Sequence, residues 1–248
     1  MFLLPENSWE IRQTGHGRAV FTLQEILPGR IIGDYLGPLV ADKDEKSHGN
    51  GNDHFYTMYY EDDISVEPSG DIPGIHILNH SCTPNTWMYT YHGHTLYFAL
   101  RKIFADEELT VSYQISPVDE ECNPCEHLCT CGSMICKGTM HLSQEQYDKW
   151  LELEGKEDKA TPLIQKQSAG QTLQKLDFYP EILLDHPIYT LFANPKQEPL
   201  IDKATILPTL DEVRLLLRDS GRPILFPNLG LKIHGIYNEH LIADPTTM

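Results

Sequence analysis

Short runs rich in β-branched and aromatic residues fill the chain before residue 115, at 18–23, 30–36, 54–60, 64–67, 86–91, 95–101 and 108–113. Gly, Pro and Asp punctuate them, and no helical pattern separates one from the next. This spacing predicts a mainly β fold with some α. It lacks the strand-helix alternation that a doubly wound nucleotide-binding sheet requires. The runs 86–91 and 95–100, joined across His92-Gly93-His94, read as a hairpin in which Gly supplies the dihedral that other residues resist.

Beyond residue 142 the pattern turns helical. Ser143 followed by Gln146 forms a capping box, and Tyr147, Trp150, Leu151 and Leu153 give an apolar face up to Gly155. Residues 156–176 are polar and Gln-rich, as expected of a linker or surface loop. More than half of the 17 prolines lie between Pro162 and Pro245 and break that segment around one further helix, 210–218, capped by Thr209 and ended by Gly221. A length of 248 residues suits one sizeable core with an appendage. The expected divisions are 1–115, 116–142 and 143–248.

Lys and Arg number 19 against 36 Asp and Glu, a net charge of -17, which opposes general binding to a nucleic-acid backbone and favours a basic partner. No apolar stretch approaches the roughly 20 residues of a membrane helix, and MFLLPENSW lacks the layout of a secretory signal. The expectation is a soluble intracellular protein, nuclear or cytoplasmic. In a reducing compartment the crowding of Cys122, Cys125, Cys129, Cys131 and Cys136 points to a soft metal ion such as zinc more than to disulfides.

The heptapeptide Asn79-His80-Ser81-Cys82-Thr83-Pro84-Asn85 is entered directly from the apolar run 75–78. Polar groups at the end of a buried strand must be satisfied, either by one another in a structural turn or by a ligand. Cys129, Cys131 and Cys136 offer three soft ligands on a tight loop, and Cys82 is available as the fourth that closes a tetrahedral site. Two further segments stand out: the small-residue turn His16-Gly17-Arg18-Ala19-Val20-Phe21, and the acidic turn Asp106-Glu107-Glu108 feeding a strand that ends at Tyr113.

In order and spelling these pieces resemble the SET-domain protein-lysine methyltransferases. That family writes HGRGLF, EYxG, NHSCxPN, EELTxxY and a post-SET CxCx4C; here they read HGRAVF at 16–21, DYLG at 34–37, NHSCTPN at 79–85, EELTVSY at 107–113 and CTCGSMIC at 129–136. The match covers about half the chain. It implies a β-clip-like SET fold with a pseudoknot, in which the Tyr113 segment threads past the Asn-His motif, followed by a mixed helical and irregular C-terminal extension.

The resemblance further implies transfer of a methyl group from S-adenosylmethionine to a lysine ε-amine of a protein or peptide, a histone tail being one candidate. It assigns the cofactor to His16, Gly17, Arg18, Ala19, Tyr56, Asn79, His80 and Tyr113, catalysis to Tyr113 with Tyr35 lining the lysine channel, and a structural zinc to Cys82, Cys129, Cys131 and Cys136. Three departures stand out: Ala19 replaces a glycine, His76 stands where an arginine is usual, and Val111 occupies a position often aromatic, which Tyr89, Tyr91 or Tyr97 would have to fill from the hairpin. The Cys-x-x-Cys spacing of Cys122 and Cys125 leaves three readings open: a second metal site, substitute ligands, or two free thiols near the surface. The alternative reading, a SET-like module that binds protein without catalysis, is disfavoured by the presence of Tyr35, Asn79, His80 and Tyr113 together.

Overall fold

The computed structural model describes residues 1–15, 17–41, 56–119, 122, 124–133, 136–182 and 186. His16, the first part of the 54–60 run and the 210–218 helix lie outside the described residues.

Short strands dominate. β1 (Trp9–Thr14) and β2 (Gly17–Thr22) form an antiparallel hairpin from Trp9↔Thr22 to Thr14↔Gly17. β3 (Ile31–Asp34), β8 (Thr86–Tyr91) and β9 (His94–Ala99) form a second sheet with β9 central. β4 (Leu39–Ala41), β5 (Met58–Glu61) and β6 (Ile64–Val66) form a third with β6 central. Two residues each from β7 (Asn79–His80) and β10 (Thr110–Val111) make a parallel pair across the sequence interval that contains the β8–β9 hairpin. Sequence reading missed β1 and β4, and the buried strand expected to run from the apolar 75–78 into Asn79-His80 is instead a 3-10 turn at Ile75–Ile77 followed by the two residues of β7.

The hairpin is tighter than its residues suggested. Tyr91 pairs with His94, so the loop is His92-Gly93 alone, both at positive φ (52° and 79°), as a mirror-image turn requires. Gly93 is also pressed from outside, since a Cβ there would come within 2.3 Å of Leu163 Cδ2.

Alternation along β9 splits the core in two. Tyr97 and Ala99 face a cluster with Val20, Ile32, Tyr35, Ile75 and Val111, while Leu96 and Phe98 face one with Trp87 and Leu153. The second cluster is covered by α1 (Gln144–Ala160), which begins at Ser143 with both halves of the capping box formed and runs beyond Gly155. One interior glycine costs about 1 kcal/mol. The buried Leu153 and Glu157 on either side, with the ion pairs Glu145–Lys149 and Glu152–Lys156, hold the helix through it.

Residues 161–182 return across the body instead of leaving it as a free linker. Leu39 N–H donates to the Gln171 carbonyl at 2.7 Å, Leu173 N–H donates to the Gly37 carbonyl at 2.9 Å, and Leu173 and Ile182 are buried. The Tyr179 hydroxyl donates to Asp34 Oδ2 at 2.9 Å, beside the His94 ring nitrogen at 2.9 Å from the same oxygen, so a fully buried carboxylate anchors the segment next to Tyr35.

Candidate active site

The parallel pairing of Thr110 with Asn79 and Val111 with His80 lays two polar motifs side by side. The bond from Ser81 N–H to the Val111 carbonyl, at 2.9 Å, prolongs it. His80 Nδ1 then accepts the Tyr113 N–H at 3.2 Å, and the Tyr113 hydroxyl donates to the Leu78 carbonyl at 3.2 Å. An Nδ1 acceptor leaves the ring proton on Nε2, which lies 3.7 Å from Cys82 Sγ. One imidazole therefore bridges the backbone of Tyr113 and a thiol.

Asn85, absent from the set of candidate residues, is what ties the motifs together. It is 2% exposed, and its Nδ2 donates to Glu107 Oε1 and the Glu108 carbonyl, both at 2.8 Å, while its Oδ1 accepts from Thr110 N–H at 2.8 Å. Glu107 is held in turn by Arg101 and by the Phe104 N–H at 3.0 Å. The signal in the sequence was an amide and two carboxylates entering otherwise apolar strands, groups that must find partners when buried.

Tyrosines crowd the same region. Tyr35 and Tyr97 are both buried, with rings stacked at 6.3 Å. Burial raises the hydroxyl pKa of both, and neighbouring phenols add to the rise: Tyr97, Tyr56 and Tyr113 at Tyr35, and Tyr113 at Tyr97. Tyr113, also shifted upward by desolvation, keeps an exposed edge. All three hydroxyls therefore stay protonated near neutrality. Of the hairpin tyrosines only Tyr97 reaches this side; Tyr89 and Tyr91 stack on each other at 6.2 Å over the second cluster. Val111 is simply buried. His76 packs edge-on against Tyr56 at 4.8 Å, and burial lowers its pKa to about 4, so no cation replaces the expected arginine.

The turn into β2 sits against the same motif. Asn79 Nδ2 donates to the Arg18 carbonyl and to Glu108 Oε1, each at 3.0 Å, and the Arg18 guanidinium donates to the Gly70 carbonyl at 2.7 Å. Gly17 has φ +100°, with nothing within 4 Å of where a Cβ would stand, so its backbone is open to close approach. Ala19 lies within β2, fully buried and outside the positive-φ residues, so its methyl group costs the turn nothing. Thus Gly17, Arg18, Asn79, His80 and Tyr113 gather in one place, with Tyr56 within electrostatic range of Tyr113. That mixture of open backbone, amide and aromatic edge fits an amino-acid nucleoside such as S-adenosylmethionine.

Cys82, Cys129, Cys131 and Cys136 place their sulfurs within 4.8 Å of one another, none in a disulfide. Cys82 and Cys129 are 3.6 Å apart, close to the roughly 3.8 Å edge of a tetrahedron with Zn–S of about 2.3 Å. Backbone N–H groups of Cys82, Lys137 and Gly138 point at the sulfurs of Cys131, Cys82 and Cys136 at 3.4–3.5 Å, a donor environment suited to thiolates. The four thiols can hold one ion.

A cleft of about 660 Å³ opens beside Tyr113 between β5, the hairpin and α1. Glu61, Glu154, Glu157 and Asp158 line it. Burial, reinforced by the neighbouring acids, raises Glu154 to about 7 and Glu157 to about 8, a site that gains from receiving a cation.

Residues 17–114 match the family model for the SET domain. The chain is 31% identical over 130 residues to the histone-lysine N-methyltransferase trithorax of Drosophila virilis, covering 49% of this chain and 3% of that one. It is 30% identical over 134 residues to human histone-lysine N-methyltransferase 2B (51% and 5%) and 26% over 152 residues to chicken SUV39H2 (51% and 37%). The chain thus spans only a minor part of these relatives. Among solved structures, the methyltransferase domain of human SETMAR aligns at 21% identity and a TM-score of 0.43, over 53% of this chain and 57% of that one. Both polar motifs meet at Tyr113, and the stretch that matches the SET domain, residues 17–114, ends one residue beyond it.

Proposed function

We propose that this chain is a protein-lysine N-methyltransferase acting on a basic peptide segment, of the kind a histone tail provides. The observation that carries the reading is the β7–β10 pairing, through which His80 receives the Tyr113 N–H and the phenol meets the Leu78 carbonyl. Gly17, Arg18, Ala19, Asn79, His80 and Tyr56 would hold the cofactor, together with His16 next to them in sequence. Bound there, S-adenosylmethionine supplies a methyl group activated by its sulfonium.

The protein's task is then to deliver an uncharged amine. A lysine amine has a reference pKa of about 10.4 and attacks only when neutral. Walls made by Tyr35 and Tyr97 desolvate it and lower that value, so it sheds its proton to water on entry. Protonated phenols cannot act as bases here, and Tyr113 and Tyr35 serve as hydrogen-bond groups that fix the direction of the nitrogen lone pair. The acidic cleft, against a net charge of -17, favours a cationic peptide. β5 is the outer strand of its sheet among the described residues, with Tyr59 exposed, so an extended peptide can add to it by main-chain hydrogen bonds. The four thiolates of Cys82, Cys129, Cys131 and Cys136 would hold zinc with no open position, giving it a structural role.

The test combines calorimetric titration with S-adenosylmethionine and transfer of a labelled methyl group to mixed core histones and a basic peptide library. Binding with transfer to lysine supports the proposal. Binding without transfer supports the non-catalytic module instead, and absence of both refutes the assignment.

A further inference from the structure

Cys122 and Cys125 are half-buried, and neither belongs to the thiol cluster of Cys82, Cys129, Cys131 and Cys136. Their sulfurs meet two imidazoles. Cys122 Sγ lies 3.4 Å from His127 Nδ1 and 3.4 Å from His141 Nε2, and Cys125 Sγ lies 3.3 Å from His141 Nε2. The four ligand atoms fall within 4.8 Å of one another. A tetrahedral zinc site with Zn–S of about 2.3 Å and Zn–N of about 2.05 Å has S···N edges of roughly 3.5 Å, so the observed separations are those of a ligand shell.

The surroundings agree. His141 Nδ1 lies 2.5 Å from the Ser116 carbonyl, which fixes the ring so that Nε2 faces the sulfurs, the orienting contact that metal-bound histidines ordinarily make. The Cys122 N–H donates to Asp119 Oδ1 at 3.1 Å. The His127 and His141 rings meet edge-to-face at 4.9 Å, an arrangement that leaves one nitrogen of each toward the common centre.

We propose that Cys122, Cys125, His127 and His141 bind a second zinc ion, in a closed Cys2His2 site distinct from the four-cysteine one. The two sites share a ladder. Met140 N–H donates to the His127 carbonyl at 2.9 Å, Leu128 bridges Thr139, and Cys129 N–H donates to the Gly138 carbonyl at 3.1 Å. Thus His127 and Cys129, two residues apart on one strand, serve different ions. On the other side, His141 bridges Ile115 and Leu142 N–H donates to the Ile115 carbonyl, so the second ion staples the segment that leaves Tyr113. This inference does not depend on the methyltransferase reading.

The test is the metal content of the purified full-length chain by plasma mass spectrometry, with alkylation of the native protein mapped by mass spectrometry. Two zinc ions per chain are expected, with all six thiols protected until a chelator is added. The double variant Cys122→Ser/Cys125→Ser is expected to hold one zinc, with Cys129, Cys131 and Cys136 still protected. Should that variant fail to fold, cobalt loading of the wild-type chain decides: two cobalt ions per chain are expected, with thiolate-to-metal absorption from six sulfurs. One metal ion per chain, or Cys122 and Cys125 alkylated in the zinc-loaded native protein as fast as exposed thiols, would overturn the proposal.

Discussion

Asn85→Ala tests whether a side chain outside the reacting centre holds that centre together. Three hydrogen bonds of 2.8 Å disappear: one to the carboxylate of Glu107, one to the Glu108 carbonyl and one from the Thr110 N–H. A bond to a charged group contributes about 1.5–3 kcal/mol and each neutral one about 0.5–1.5, with a further cost for the buried N–H left unsatisfied, giving a loss of about 4 kcal/mol. Against a total stability of about 5–15 kcal/mol that is a large fraction. It corresponds to a fall in Tm of about 8–16 °C for a chain of this size. Calorimetry and urea unfolding of the full chain measure it. The isosteric Asn85→Asp separates hydrogen bonding from volume. It places a carboxyl against the Glu107 carboxylate, so the introduced group has a raised pKa in the folded state. Its penalty is absent below the ordinary value of about 3.9 and grows as pH rises through and above it. A loss under about 1 kcal/mol for Asn85→Ala, or an Asn85→Asp variant whose deficit does not grow with pH, would refute the reasoning.

Tyr113→Phe removes the hydroxyl that meets the Leu78 carbonyl while leaving the N–H bond to His80, so methyl transfer is expected to fall by roughly tenfold or more with little change in cofactor affinity by calorimetry. Removing metal with a chelator, or Cys129→Ser, is expected to abolish transfer through loss of order in the segment beyond Tyr113, seen as faster amide exchange at 127–142; unchanged exchange would argue against a structural ion. Burial raises Glu157 from 4.5 to about 8, so its cost is absent below pH 4.5, grows between 4.5 and 8 and is complete above. Glu157→Gln should therefore unfold at a higher temperature than wild type at pH 8.5, by a margin that narrows toward pH 4.5; a pH-independent difference would count against this.

The linear chain determined much of this protein. The runs 86–91 and 95–100 were legible as a hairpin because two β-branched, aromatic runs flank a Gly-containing turn, though His94 belongs to the strand and not the loop, and Ser143 with Gln146 marked a helix start because they satisfy its first N–H groups. The polar motifs around His80 and Tyr113 were visible because polar residues interrupt apolar runs. What the order of residues could not disclose was their partners. Asn85 reads as one more turn residue until the parallel pairing of β7 with β10 brings Glu107, Glu108 and Thr110 to it. Residues 156–176 read as a polar linker or surface loop, yet 156–160 continue α1 and Leu173 is buried, where the 37–39 segment supplies backbone hydrogen bonds. His127 and His141 showed no link to Cys122 and Cys125, since ligands separated along the chain are joined only when a ladder folds one stretch back on the other. Local preference is a short-range property and reads directly from neighbours. Long-range contacts exist only after the chain has accepted the entropy loss of closing its loops, and there the tertiary structure alone decides.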